Sequence, residues 1–490
     1  MIYSFSNWGY EGSIVSVEVD LRRGIPTTDI VGLADSSVKE TRERVQSAIR
    51  NSGLEYPSER VLIALSPADL KKEGNGFDLS IALGILQKQF TEDVLVMGEL
   101  ELSGCIRPVR GVHAACSTAL TSGIQYAIVP TANLGEALAT GIKAIGCDTL
   151  CDTYKLPEDL STRKIATVSK YDNTISFREP DEKLSIEMTE KEMLALVVGA
   201  SGRFNMMFAG SPGSGKTRLM QYMQYLTPSL TEEESKSVKR IYSLAGLYRY
   251  GNKDENKVYP PFRTPHQTAS IEGICGGGPN CRPGEITLAH NGVLFLDEAA
   301  EFRSSVLQML RVPLENKSIT LSRAGRCTTY PANFQLLMAL NPCPCGNYGS
   351  KDKICLCSAK SVELYWKKLS GPLLDRVPIK IHIDPSEGER EEYSLEELQT
   401  YVMTATVESR KLGKKFSELT PNEVEDITPP EILGVFTIAM SDKDWSIRKR
   451  NNALKVWLTI RAIFGDDKRN YESYTKQTMM LLCDTPYELM

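Results

Sequence analysis

Hydrophobic and polar positions follow two periods along this chain. Ser13 to Asp20 alternates as a half-buried strand does. Ser36 to Ala48 spaces its apolar positions as a helix, and Asn51-Ser52-Gly53 stops it. Arg60 to Leu65 reads as a strand, Leu79 to Gln87 as an apolar helix, and Met97 to Pro108 as a hairpin. Helix and strand then alternate to about Gly146, so residues 1–155 predict a mixed α/β unit. Residues 156–187 are polar and weakly periodic and read as a linker. Three largely apolar runs follow, Phe204–Ala209, Val293–Leu296 and Phe334–Leu340. Each has the character of a parallel strand buried on both faces. They set an α/β core over residues 188–384. Beyond it, Arg390–Gly413, Pro430–Ala439 and Ser446–Phe464 read as helices, making residues 385–490 an all-helical unit.

Composition narrows the class. At 490 residues, 41% hydrophobic and 24% charged, the chain suits two or three globular domains. No apolar run reaches membrane-spanning length, so no membrane partner is expected. The first residues lack a basic stretch followed by an apolar one, which points to the cytoplasm. There the 12 cysteines stay reduced, and clusters among them suggest metal rather than disulfides. With a net charge of −5, nucleic-acid contact has to come from local basic elements.

The chemistry starts at Gly210-Ser211-Pro212-Gly213-Ser214-Gly215-Lys216-Thr217, followed by Arg218. Small residues let backbone N–H groups wrap phosphates. Lys216 neutralises the outer phosphates, and Thr217 offers its hydroxyl to Mg²⁺. A strand enters this loop and a helix leaves it, with its positive end on the phosphates. About 80 residues on, Val293–Leu296 ends in Asp297-Glu298. Asp297 suits Mg²⁺, and Glu298 suits polarisation of an attacking water. Together these predict an ATPase of the AAA+ type, with ATP and Mg²⁺ as its cofactors.

Two further stretches carry chemistry. Cys343-Pro-Cys345 and Cys355-Leu-Cys357 are separated by nine residues, and four thiolates on one loop can hold a structural Zn²⁺. The alternative is four idle thiols. Ile319 to Tyr330 reads as a hairpin turning at Ala324-Gly325, flanked by Arg323 and Arg326. These arginines are placed to grip DNA phosphates without sequence preference. The alternative is a solvated tip.

Three stretches resemble the magnesium-chelatase-like AAA+ ATPases of the YifB/ComM type: Ile30–Val45, Ser66–Leu79, and Asn341-Pro-Cys-Pro-Cys-Gly346 with Leu369–Arg376. The resemblance covers nearly the whole chain. It implies a Lon-protease-like N-terminal domain, an AAA+ core, a helical lid, and a homo-oligomeric, hexameric ring. ComM-type relatives resemble branch-migration motors, so the resemblance implies action on DNA. The other classes left open are a protein-remodelling ATPase and a magnesium-chelatase-type motor. Asn341 resembles the sensor that orients the attacking water, and Arg376 the finger that serves a neighbour's ATP. Arg448 resembles the lid arginine that touches the nucleotide of its own subunit. The hairpin resembles one that points into the ring's pore. The Lon-type Ser–Lys pair is missing: Gly76 stands at the serine position, Asn75 before it, and His113 at the lysine position. No peptidase is expected, since acyl transfer needs both groups. The stretch Ile186–Met193 departs from the family's Gly-Gln beside the adenine pocket.

Overall fold

Two larger sheets organise the chain in a computed structural model that describes all residues except 34, 73, 164–170, 249–256, 279–280, 324–325, 349–353, 385, 387, 444 and 483–490, and omits the side chains of 36, 37, 39, 75, 323 and 326. The first sheet has the order Thr28–Val31, Arg60–Ser66, Ser13–Arg22, Ile2–Ser6, Val94–Val96, Tyr126–Pro130, Lys143–Cys147. Pairing is antiparallel on either side of Ser13–Arg22 and parallel from Ile2–Ser6 through the last strand. The expected amphipathic helix spans Ser36–Asn51, because the Asp35 carboxylate accepts from the Val38 N–H and so caps its first turn. Gly53, at a φ of 74°, follows its end.

The second sheet is wholly parallel: Phe262–Arg263, Val293–Leu296, Gln335–Leu340, Met206–Gly210, Ile379–Ile383. Its central strands are mostly apolar because both faces are covered. Met206, Phe208, Phe295 and Leu337 face a core that includes helices Glu190–Gly202 and Lys216–Leu226. Met207, Ala209, Leu294, Leu336 and Met338 face the other core, beneath Ser304–Met309 and Ala359–Lys367. The side chains alternate faces with the period of two that strand geometry imposes.

The stretch read as a linker differs from that expectation. Phe177 is buried in the first of these two cores, with Ile175 and Leu184 packed on that core, and the Tyr171 hydroxyl donates to the Leu230 carbonyl at 3.0 Å. Ser185–Met188 then forms a strand that pairs antiparallel with Glu391–Ser394. The helix expected from Arg390 consequently starts at Leu395, capped by Ser394. A polar edge strand of four residues carries too little periodicity to be read beforehand. The first sheet's unit docks on the second. The Tyr10 N–H donates to Thr328 Oγ1 at 3.1 Å, and Arg240 stacks on the Tyr10 ring while donating to the Tyr10 and Glu11 carbonyls.

The C-terminal unit is helical among the described residues: Leu395–Leu412, Pro421–Ile427, Pro430–Asp442, Ile447–Phe464 and Tyr471–Leu481. No helix among the described residues is long and apolar enough to cross a membrane. Trp457 is fully buried and meets Tyr471 edge-on, ring centroids 5.0 Å apart. Trp457→Ala leaves a cavity there and should cost about 3–5 kcal/mol, read as a lowered midpoint for thermal unfolding. An unchanged midpoint would show that this packing does not hold the helices together.

Candidate phosphate-binding site

The phosphate loop lies at the C-terminal end of the buried strand Met206–Gly210. A side chain at Gly210 would come within 2.4 Å of the Ile383 carbonyl oxygen. Gly213 and Gly215 have open space around them but φ values of 84° and 88°, so their requirement is conformational. Helix Lys216–Leu226 begins at Gly215 with no side-chain cap. Its first N–H groups thus remain for an anion. Pro212 and Arg218 are exposed beside the loop.

Lys216 is buried, and its ammonium donates to the carbonyls of Gly210 at 2.8 Å and Ser211 at 2.7 Å, with Ser214 Oγ at 3.4 Å. These oxygens stand in for phosphate oxygens. Burial pushes its pKa down to about 8, against the pull of Asp297 and Glu298. The Thr217 hydroxyl lies 3.1 and 3.2 Å from the two carboxylate oxygens of Asp297. A hydroxyl and a carboxylate in contact form a hard-oxygen donor set that fits Mg²⁺. Glu298 is exposed and sits at a φ of 50°, in the left-handed region. A non-glycine residue held there stores strain of about 1–3 kcal/mol, which concentrates at functional sites.

Strand register gathers the rest. Leu340 pairs with Ala209, and Leu296 with Met338. The strand ending before Asn341 therefore lies between the phosphate-loop strand and the strand ending before Asp297. Gly210, Asp297 and Asn341 share one edge of the sheet.

Arg376 and Arg448 lie elsewhere. Asn205, just before the start of the phosphate-loop strand, donates to the Arg376 carbonyl at 2.7 Å. Arg376 is thus about 16 Å, five strand residues, from its own loop. Its guanidinium pairs with Glu315 and donates to the Pro372 carbonyl at 2.6 Å; the partner is Glu315 rather than the adjacent Asp375. Arg448 takes the other oxygen of Glu315 at 2.9 Å. Helix Ile447–Phe464 brings Arg448, expected beside its own subunit's nucleotide, to the Arg376 end of the sheet. Both arginines, with Arg203, Lys317 and Lys455, line a cavity of about 420 Å³. Burial, then Lys317, pushes the Lys455 ammonium down to about 8. Sequence reasoning missed Glu315 and both lysines. They are isolated charges on short elements, and only tertiary packing brings them together.

The four cysteines converge. The Sγ atoms of Cys343, Cys345, Cys355 and Cys357 lie within 4.8 Å of one another. The hairpin forms from Ser318–Arg323 and Arg326–Pro331, with Arg323 opposite Arg326. Its turn at Ala324-Gly325 and the side chains of Arg323 and Arg326 lie outside the described residues. In the first unit, Gly76 sits in the turn Asn75–Phe77. The His113 ring is buried in helix Val112–Thr121, and burial holds its pKa at about 3. That imidazole is neutral and enclosed.

The family model described as magnesium chelatase, subunit ChlI, matches residues 184–391, and one described as subunit ChlI of Mg-chelatase matches residues 17–133. The chain is 33% identical to competence protein ComM of Haemophilus influenzae over 494 residues, covering 96% of this chain and 94% of that protein. It is 39% identical to the uncharacterized protein Rv2897c of Mycobacterium tuberculosis over 389 residues, 78% of this chain and 76% of that one. It is 36% identical to the uncharacterized protein YifB of Escherichia coli over 399 residues, 78% and 75% of the two chains. With a phosphate loop, an acidic strand end and matches of this extent, the chain belongs to the magnesium-chelatase-like family that includes ComM and YifB.

Proposed function

We propose that this protein hydrolyses ATP as a ring-forming motor and acts on DNA. The observation that carries the catalytic part is the contact of Thr217 with Asp297 across two strand ends, beside a buried Lys216 held only by oxygens. On this reading, Lys216 and the loop N–H groups bind the phosphates. Thr217 and Asp297 hold Mg²⁺, which supplies charge neutralisation on the phosphates. Glu298 takes the proton of the attacking water, and Asn341 orients that water. Residues 1–155 form a Lon-protease-like unit without its Ser–Lys pair, 188–384 the AAA+ core and 385–490 the lid. A neutral, enclosed His113 supports the absence of peptidase chemistry. The four-cysteine cluster holds zinc as a structural element.

Arg376 and Arg448 support the ring. Both lie at the sheet end remote from their own loop, on a cavity where Arg203, Lys317, Lys455 and the two arginines outnumber Glu315 and Asp375. A neighbouring subunit's ATP is an anion of the right kind for that cavity, and a hexamer closes such head-to-tail contacts. DNA is the substrate in the pore, gripped by the hairpin that carries Arg323 and Arg326. The similarity to a competence protein supports this choice.

Lys216→Ala should abolish ATP binding, whereas Glu298→Gln should bind ATP and turn it over roughly 10²–10⁴-fold more slowly, measured by equilibrium binding beside phosphate release. Wild-type turnover by Glu298→Gln would remove that residue from its role. ATP binding should also depend on pH. Lys216 titrates near 8 in the free chain because burial opposes its charge. Phosphates favour the charged form, so binding takes up a proton as pH rises past 8. Affinity should then fall by up to about tenfold per pH unit, and a flat titration between about pH 7 and 10 would refute the assignment.

The division of labour between subunits has its own test. Arg376→Ala and Lys216→Ala should each be inactive, with finger losses of about 10³–10⁵. Mixed, they should regain part of the activity, because some interfaces pair an intact loop with an intact finger. DNA at low salt should stimulate wild-type turnover, and Arg323→Ala with Arg326→Ala should remove that stimulation. No effect of single-stranded, branched or duplex DNA would favour the protein-remodelling class instead.

A further inference from the structure

We infer that the four-cysteine cluster is a zinc site whose ion seats Asn341 and the phosphate loop against each other, so that metal occupancy sets the rate of ATP turnover. The second half of this inference rests on the ATPase reading; the metal site itself does not.

The sulfur geometry argues for a metal. Cys343 and Cys345 Sγ atoms are 3.3 Å apart, Cys343 and Cys355 3.7 Å, Cys345 and Cys355 3.6 Å. A disulfide would bring two sulfurs to about 2.05 Å. A tetrahedral zinc with bonds of about 2.3 Å sets its sulfurs about 3.8 Å apart. Three of the pairs are at or just inside that edge length, and all four atoms fall within one ion's reach. Four soft thiolates in a closed set select Zn²⁺ over Mg²⁺, which prefers hard oxygens. Each cysteine that arrives as a thiol releases its proton to solvent on ligation.

The position of the cluster gives it a task. Asn341 ends its strand only two residues before Cys343. Between them, the Pro342 carbonyl accepts from the buried Trp366 indole N–H at 3.0 Å. On the other side, Gly346 lies so close to the phosphate loop that a side chain there would approach Pro212 Cγ to 2.5 Å. Gly346 also donates its N–H to the Cys343 carbonyl at 2.9 Å. One compact turn therefore touches the strand end that carries Asn341 and the loop that carries Lys216. Cys355 and Cys357 pack against the core beneath the sheet and bring their sulfurs to this turn. An ion binding all four thiolates fixes this turn and, through it, the spacing of Asn341 from the phosphates.

The test uses the full-length chain purified without chelator. Elemental analysis should give about one zinc per chain, the stoichiometry of a four-thiolate site. Exchange with Co²⁺ should produce the visible bands of tetrahedral cobalt thiolate. Neither zinc nor those bands would overturn the site whatever the ATPase assay shows. Zinc is then removed with an organomercurial and restored after thiol reduction. Metal-free protein should keep ATP affinity within about threefold and lose at least tenfold in kcat, recovered on adding zinc alone. Cys345→Ser with Cys357→Ser should reproduce the metal-free state. If zinc is present but its removal leaves kcat unchanged, the ion is only a local staple and the coupling is wrong. If the double variant does not fold, removal and restoration of zinc in the wild-type chain still decide the matter.

Discussion

The parallel register of three strands is the constraint on which the site depends. Met206–Gly210, Gln335–Leu340 and Val293–Leu296 run in one direction and pair residue for residue. Their C-terminal ends therefore fall on one edge, and the residues that follow them meet there: Gly210 with its loop, Asn341, and Asp297. A slip of one residue would turn each side chain to the opposite face. Gln335 helps fix that register, donating its amide to the Gly199 and Phe204 carbonyls. Covering both faces makes the slip costly, since Phe208, Leu337 and Phe295 belong to one core, and Ala209, Leu336 and Leu294 to the other.

Charged residues gather at the opposite end of the same sheet. Arg376 follows the short helix Gly371–Leu374 and sits at the strand starts, tied there by Asn205. Glu315 holds Arg376 and Arg448 together, and Arg376 in turn lowers the pKa of the Glu315 carboxyl. Glu315 belongs to helix Arg311–Asn316, which leads directly into the hairpin Ser318–Arg323. The cations proposed to meet a neighbour's ATP are thus one short helix from the element proposed to face DNA. On the other side of that hairpin, Thr328 meets Tyr10 of the first unit.

Much of this was legible in the sequence, for identifiable reasons. The phosphate loop can be read because its chemistry is local: Gly213 and Gly215 need positive φ, and Gly210 has no room for a side chain. Asp297 and Asn341 can be read because each directly follows an apolar run of strand length. The resemblance to the YifB/ComM family added Arg376, whose remote position no local pattern encodes. What escaped was tertiary. The strand Ser185–Met188 is short and polar, and only its partner Glu391–Ser394 makes it a strand. Phe177 reads as a stray apolar residue in a polar stretch, yet it is buried. The place of Arg448 beside Glu315 depends on how helix Ile447–Phe464 packs, and Glu315 has no signature of its own. The cysteine pairs suggested metal by type, but their convergence became visible only when the loop folded back on Pro212.

The central claim is that one chain holds half of a catalytic site and its neighbour holds the other half. Specific ATPase activity measured across a dilution series, with sedimentation of the same samples, tests this most directly. Activity per chain should vanish where the protein sediments as a monomer and rise in step with assembly to a plateau. Constant activity per chain down to the monomer would contradict it.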